Sequence, residues 1–181
     1  IYVDQIPPAG TIVYCANDQE VLKVIENTSS YCKKVSYSIP PHRIENGKTY
    51  LIHNDTVGNV KETGLEIFGD HNLMNLLGAK EVCSLLGISD EDFYSSVSSF
   101  KGAARRLEKL GSSDTLTVFK DFAHSPSKLK ATIEAVKNQY PDRQVIACME
   151  LHTFSSLTGN FLAEYNRSME KADEAIVYFN P

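Results

Sequence analysis

Two asparagines three residues apart, Asn72 and Asn75, follow Gly69-Asp70-His71 at what reads as the start of a helix. Residues at that spacing share a helix face. A carboxamide donates and accepts at once, which matches the edge of an adenine ring, where an amino donor sits beside a ring-nitrogen acceptor. The same pattern suits two solvated polar positions on a first turn capped by Asp70. Farther on, Asp121 and His124 close the stretch Asp121-Phe122-Ala123-His124 behind an apolar run, and His152-Thr153 stand in the equivalent place behind the next one. A carboxylate and an imidazole so placed make a polar pocket, or a capped turn with a surface histidine. Arg105-Arg106 follow the small residues of Lys101-Gly102-Ala103-Ala104. Their guanidinium groups can reach a phosphate, or form an exposed pair beside Glu108. Gly47-Lys48-Thr49 imitates the end of a phosphate-binding loop, but His42 stands where that loop needs its first glycine, and no helix follows.

The elements that must position these groups are legible in the hydrophobic pattern. Residues 11–16, 18–26 and 35–39 read as strand, helix and strand. Between Arg43 and Ile67 the pattern is all β, with Asn46-Gly47 as a two-residue hairpin turn and residues 56–59 as a second turn. A helix is predicted over 71–86, ending at Gly87, and another after Ser89. The flexible residues 101–104 then mark a boundary between two modules. Beyond them residues 116–119, 145–149 and 175–179 read as strands, alternating with helices from Ser125-Pro126 and over 157–172, the pattern of a parallel α/β sheet. Ligands of such sheets sit beyond the carboxyl ends of the strands, where Asp121–His124 and Glu150–Thr153 fall.

Composition limits the partners. The 181 residues carry a net charge of −5, with 42% hydrophobic and 23% charged residues. An acidic balance of this kind argues against nucleic acid or an anionic membrane as partner and leaves small molecules. No apolar run nears the ~20 residues of a membrane span, and no signal-peptide pattern opens the chain, so a cytoplasmic location is expected. Cys15, Cys32, Cys83 and Cys148 are scattered without a C-x-x-C pair and read as reduced thiols. Ile1 in place of an initiator Met, and a strand-like run ending at Pro181, lead us to expect a segment of a longer protein.

Taken in order, Gly-x-His-Asn-x-x-Asn at 69–75, Phe100-x-Gly102 leading to Arg105-Arg106-x-Glu108, Asp121-Phe122-Ala123-His124-x-Pro126 and His152-Thr153-Phe154-Ser155 resemble the Mur ligases, the ATP-dependent amide-forming enzymes of peptidoglycan assembly. The resemblance covers essentially the whole chain. It is strongest to the branch that adds an amine to UDP-N-acetylmuramate, either L-alanine or the recycled peptide L-alanyl-γ-D-glutamyl-meso-diaminopimelate, and within it to the recycling type.

That resemblance implies an α/β chain truncated at both ends: the end of an ATP-binding central domain over residues 1–101, then a Rossmann-like parallel-sheet C-terminal domain over 102–181. It implies an ATP-dependent ligase that works through an acyl phosphate. His71, Asn72, Asn75, Arg106 and Asp121 would bind the nucleotide, and Arg106, Asp121 and His124 would be catalytic. His124, Ser125, His152, Thr153 and Ser155 would bind substrate. No metal ligand is expected within the chain, those for Mg²⁺ and the phosphate loop being expected upstream. Lys120, Ser125 and Ser156 depart from the alanine-adding pattern, which has a second acid, a histidine and an arginine there. Alternatives are the L-alanine ligase proper, a folylpolyglutamate-synthase-like ligase, and a catalytically silent nucleotide-binding module.

Overall fold

The computed structural model describes residues 2–151 and 159–179. Two compact units result. The first comprises Ile1–Glu45, Thr49–Leu65 and Asp70–Phe100; the second comprises Asn46–Lys48, Glu66–Gly69 and Lys101–Pro181.

The first unit opens with a single 3₁₀ turn at Tyr2–Gln5. Strand β1 (Thr11–Cys15), helix α1 (Gln19–Asn27) and strand β2 (Lys33–Tyr37) follow as a crossover unit. The two strands pair in parallel, from Thr11 opposite Lys33 to Cys15 opposite Tyr37. Asp18 caps α1, its Oδ1 accepting from the amides of Glu20 at 2.9 Å and Val21 at 3.1 Å. Such caps satisfy amides that the helix itself leaves without partners.

Strands β3 (His42–Glu45), β4 (Lys48–Asn54) and β5 (Val60–Leu65) form a meander. At its first turn Asn46 has φ 51° and Gly47 φ 70°. Two left-handed residues in a row are what a two-residue hairpin needs to match the twist of its strands. Helix α2 (Asp70–Leu85) buries Leu73 and Leu76. It stops at Gly87, whose φ of 84° lets the Ile88 amide return to the Cys83 carbonyl at 3.0 Å. Asp70 lies inside the first turn of α2 rather than capping it. There its carboxylate faces the positive end of the helix dipole. Helix α3 (Asp90–Val97) is capped by Ser89, which accepts from the Asp92 amide at 3.1 Å.

The second unit contains strands β6 (Glu108–Ser112) and β7 (Thr117–Lys120), helix α4 (Pro126–Gln139), strand β8 (Ile146–Leu151), the short helix α5 (Gly159–Ala163) and strand β9 (Glu174–Phe179). Strands β8 and β9 pair in parallel, Ile146 opposite Glu174 through Leu151 opposite Phe179. This is the mixed α/β architecture expected, with one difference. The strand at 116–119 does not join β8; it pairs antiparallel with β6, which the apolar pattern does not announce. The helix expected over 157–172 is, among the described residues, α5 alone, followed by turns.

Among the described residues, two hydrophobic cores hold this unit. Leu129, Ile133 and Val145 form one, with Met149, Tyr165 and Met169 packed on it. Phe68, Leu107 and Ala135 form the other, with Phe119, Val136 and Tyr140 around them. Phe68 meets Phe119 edge-on, ring centroids 5.3 Å apart. The tip of the β3–β4 hairpin joins the same unit, since Gln139 Nε2 donates to the Gly47 carbonyl at 2.8 Å.

Candidate functional site

The segment Ala103–Glu108 holds two left-handed residues that are not glycine. Arg105 has φ 58° and Leu107 φ 49°. Left-handed conformations cost a residue with a Cβ roughly 1–2 kcal/mol each, and a pair flanking one residue persists only where surrounding bonds impose it. Those bonds are present. The Arg106 amide donates to the Ala103 carbonyl at 3.1 Å, and the Arg105 amide to Glu108 Oε2 at 2.8 Å. The Leu107 amide donates to Asp121 Oδ1 at 3.0 Å, and the Arg105 carbonyl accepts from Phe122 at 3.0 Å. Leu107 is only 8% exposed and points into the Phe68 core. Its neighbour Arg106 is exposed. The turn therefore drives an apolar side chain inward and holds a guanidinium outward.

Asp121 is the tether of this turn. Its Oδ1 accepts from Leu107, and its Oδ2 accepts from the Thr132 hydroxyl on α4. Both carboxylate oxygens are thus engaged by the protein itself, a use that spacing alone did not reveal. Glu108 likewise serves the Arg105 backbone rather than standing beside its guanidinium.

His124 lies three residues beyond Asp121. Its Nδ1 is 3.0 Å from the Phe122 carbonyl, which can only accept. Nδ1 is therefore the donor of this bond, an assignment made from its partner. The ring leans on Phe122 at 4.7 Å, and the His124 carbonyl accepts from the Tyr165 hydroxyl at 2.8 Å. Ser125 occupies the N-cap position of α4, ahead of Pro126, but its hydroxyl makes no capping bond. Tyr165 connects this segment to a cleft of about 350 Å³, lined chiefly by Met149, Leu162, Tyr165, Met169 and Val177. Burial pushes the Tyr165 phenol above its ordinary range, with the Glu164 carboxylate adding to the effect.

In the first unit, His71, Asn72 and Asn75 lie in the first turns of α2. Leu73 and Leu76 turn into the core between them; Asn75 is exposed, and His71 and Asn72 are half-buried. The two carboxamides therefore share a face beside the buried stripe. His42, the residue that excludes a phosphate loop at 42–49, also approaches the start of α2. Its Nδ1 lies 2.9 Å from the Pro40 carbonyl and its Nε2 3.8 Å from Asp70 Oδ1. No spacing rule could have joined it to Asp70, 28 positions away.

His152, Thr153 and Ser155 lie outside the described residues, as does Ser156. Among the described residues no group of three or more His, Cys, Asp or Glu side chains is arranged to hold a metal ion. Nor is any helix among them long and apolar enough to cross a membrane.

Comparisons with known proteins agree on one relationship. Residues 105–181 match the family described as Mur ligase, glutamate ligase domain. The UDP-N-acetylmuramate–L-alanine ligase of Clostridium kluyveri is 32% identical over 180 residues, which is 95% of this chain and 38% of that protein. Among solved structures, MurF from Acinetobacter baumannii superposes with a TM-score of 0.69 at 15% identity, covering 96% of this chain and 43% of that one. A murein peptide ligase from Psychrobacter arcticus gives 0.61 at 23% identity, covering 97% and 38%. The structural likenesses speak to the fold. The chain spans about two-fifths of the length of the curated relatives it matches. The sequence relatives, together with the match beginning at Arg105, make this chain a member of the Mur ligase family.

Proposed function

We propose that this chain is part of an ATP-dependent ligase of peptidoglycan assembly, joining the carboxylate of UDP-N-acetylmuramate to an amine through an acyl phosphate. The observation that carries this reading is the constrained turn at the start of the family match, which offers Arg106 outward while anchoring Leu107 in the core. Transfer of a phosphoryl group asks little covalent chemistry of a protein; it asks for positioning and for neutralised charge. A guanidinium fixed on a rigid backbone supplies both.

In this reading residues 1–101 belong to the central domain and 102–181 to the C-terminal domain. The residues present suit an adenine nucleotide. Asn72 and Asn75 offer paired amide edges on one face of α2, and Arg106 offers an exposed cation. When bound, ATP supplies the phosphoryl group that activates the muramyl carboxylate. His124, whose Nδ1 donates to the Phe122 carbonyl, presents Nε2, when the ring is neutral, as an acceptor able to orient or deprotonate an incoming ammonium. Ser125, His152, Thr153 and Ser155 complete the substrate side. The ligands of Mg²⁺ are assigned to residues beyond this chain, and the protein is assigned to the cytoplasm, where the nucleotide substrates are made available.

The acceptor is L-alanine by the name of the curated relatives. A peptide is favoured instead by the small side chains Ser125 and Ser156. A side-by-side assay of the full-length gene product with L-alanine and with L-alanyl-γ-D-glutamyl-diaminopimelate separates the two. Release of ADP dependent on UDP-N-acetylmuramate and one of these amines is the expected result. No turnover with either amine would overturn the assignment.

A further inference from the structure

We propose that a cleft in the first unit, lined by none of the residues assigned to ATP, binds a small organic ammonium ion, with Glu81 as its charge partner beside the rings of Tyr37 and Tyr94. Neither the cleft nor its ligand depends on the ligase reading. The cleft encloses about 290 Å³ and is lined by Tyr37 at the end of β2, Pro40 and Pro41 beyond it, Leu51 on β4, Glu81 on α2 and Tyr94 on α3. That volume is at the low end for a ligand cavity and suits a small molecule. Among the described residues Glu81 is the one charged side chain of the lining. The adjacent Lys80 is committed to Asp90, 3.1 Å away, and Glu81 makes no hydrogen bond or ion pair among the described residues. The cleft therefore carries one negative charge that the protein does not pair.

Two aromatic rings are fixed on the same lining. Tyr37 lies against α2 at Gly78, where an added Cβ would come within 3.0 Å of the ring. Gly78 and Leu77 precede Glu81 by three and four positions, so all three share one side of the helix. Tyr94 stacks on His53, with ring centroids 3.6 Å apart and planes 17° apart. The stack covers one face of Tyr94, and the cleft takes what remains. Burial pushes both phenols above their ordinary range, so the rings stay uncharged near neutral pH. Neutral aromatic rings attract cations through their quadrupole. A bare metal ion seeks several oxygen ligands, whereas here one carboxylate stands among prolines and leucines. An alkylammonium fits both parts: its charged head pairs with Glu81, and its stem covers apolar surface.

The test titrates n-butylammonium chloride into the full-length protein at constant ionic strength and follows the methyl resonances of Ile39 and Ile52, both in the lining. Saturable shifts of both methyls are expected. Glu81→Gln keeps the shape and removes the charge, and should weaken binding about fivefold, the worth of a partly exposed ion pair. Glu91→Gln, at an exposed position of α3 outside the lining, should leave the affinity unaltered. Butan-1-ol, the uncharged counterpart of the probe, and potassium chloride should move neither methyl. An absence of saturable shifts overturns the proposal, as does an affinity that Glu81→Gln leaves unchanged. Equal losses in Glu81→Gln and Glu91→Gln would reveal diffuse attraction to an acidic surface; equal shifts with butan-1-ol, an apolar cleft; equal shifts with potassium chloride, an inorganic cation site. Each of these also overturns it. Neither ATP nor UDP-N-acetylmuramate is present, so failure here leaves the ligase reading standing, and failure of that reading leaves this result intact.

Discussion

Leu107 combines two properties that rarely meet: a buried apolar side chain and a left-handed backbone. Replacing it by Ala and by Gly should give proteins of nearly equal stability. Leu107→Ala removes a side chain 8% exposed among Phe68, Ala135, Phe119, Val136 and Tyr140. Buried Leu→Ala changes cost about 2–5 kcal/mol, and the partly exposed rings here can relax, so about 3 kcal/mol is expected. Going on to Gly removes the Cβ, worth at most ~0.8 kcal/mol of burial, and adds chain entropy worth about 0.5–1 kcal/mol. Those two losses would make Gly worse than Ala by about 1.5 kcal/mol at an ordinary site. At φ 49° they are opposed by relief of roughly 1–2 kcal/mol of steric cost. The two variants should therefore unfold within about 0.5 kcal/mol of each other. Urea titration followed by far-ultraviolet circular dichroism measures the difference. The matched pair at Leu73, fully buried within α2, is the control, and there Gly should fall below Ala by about 1 kcal/mol or more. A Leu107→Gly protein less stable than Leu107→Ala by that same margin would refute the argument that the turn is held under strain.

Three further outcomes follow from the geometry. Changing Asn72 and Asn75 together to Ala should weaken ATP binding to the full-length protein by about 1 kcal/mol per lost amide contact, read by calorimetry; unaltered affinity would remove the adenine assignment. Arg106→Ala should lower kcat far more than it raises the nucleotide dissociation constant, and equal changes in both would make the residue a ground-state contact. The third outcome concerns acid. The Lys137 ammonium, 2.8 Å away, and the Val145 amide hold the Asp173 carboxyl below its ordinary range. A depressed carboxylate stabilises the fold above its unfolded pKa, and that contribution is lost as pH falls through the folded value. Asp173→Asn should therefore flatten the fall of the urea midpoint below about pH 4, and an identical acid limb in both proteins would exclude the contribution.

What could be read in the sequence was whatever local chemistry dictates. Asn46-Gly47 forced a hairpin, Ser89 capped its helix, and Gly87 ended α2, because each effect acts within a few residues. Strand β6 was missed for the complementary reason. Its residues Glu-Lys-Leu-Gly-Ser are largely exposed, with a register shift between Lys109 and Gly111, so no buried face imposes alternation. It is a strand only because β7 lies beside it. The site divides the same way. The residue types at 72, 75, 106, 121 and 124 stand out by spacing, whereas the occupation of Asp121 by Leu107 and Thr132 depends on partners 14 and 11 positions distant. Nothing in the pattern of α4 singles out Thr132 among its half-buried positions.

The second unit is assembled from three separate stretches of chain, and this bears on how such a protein could be cut or recombined. Phe68 fills its core beside Leu107 and Ala135, and the Gly47 carbonyl receives Gln139, a side chain only 2% exposed. A gene fusion that carried over residues 101–181 alone would leave behind an aromatic ring and the acceptor of a buried amide. The graft would begin with a hole in its interior and a buried amide short of the Gly47 acceptor. A splice site chosen by the linker at 101–104 is thus misleading as a guide to modularity. An autonomous cassette would have to bring the hairpin tip and residues 66–69 with it, or replace Phe68 and Gln139 by groups that no longer need them.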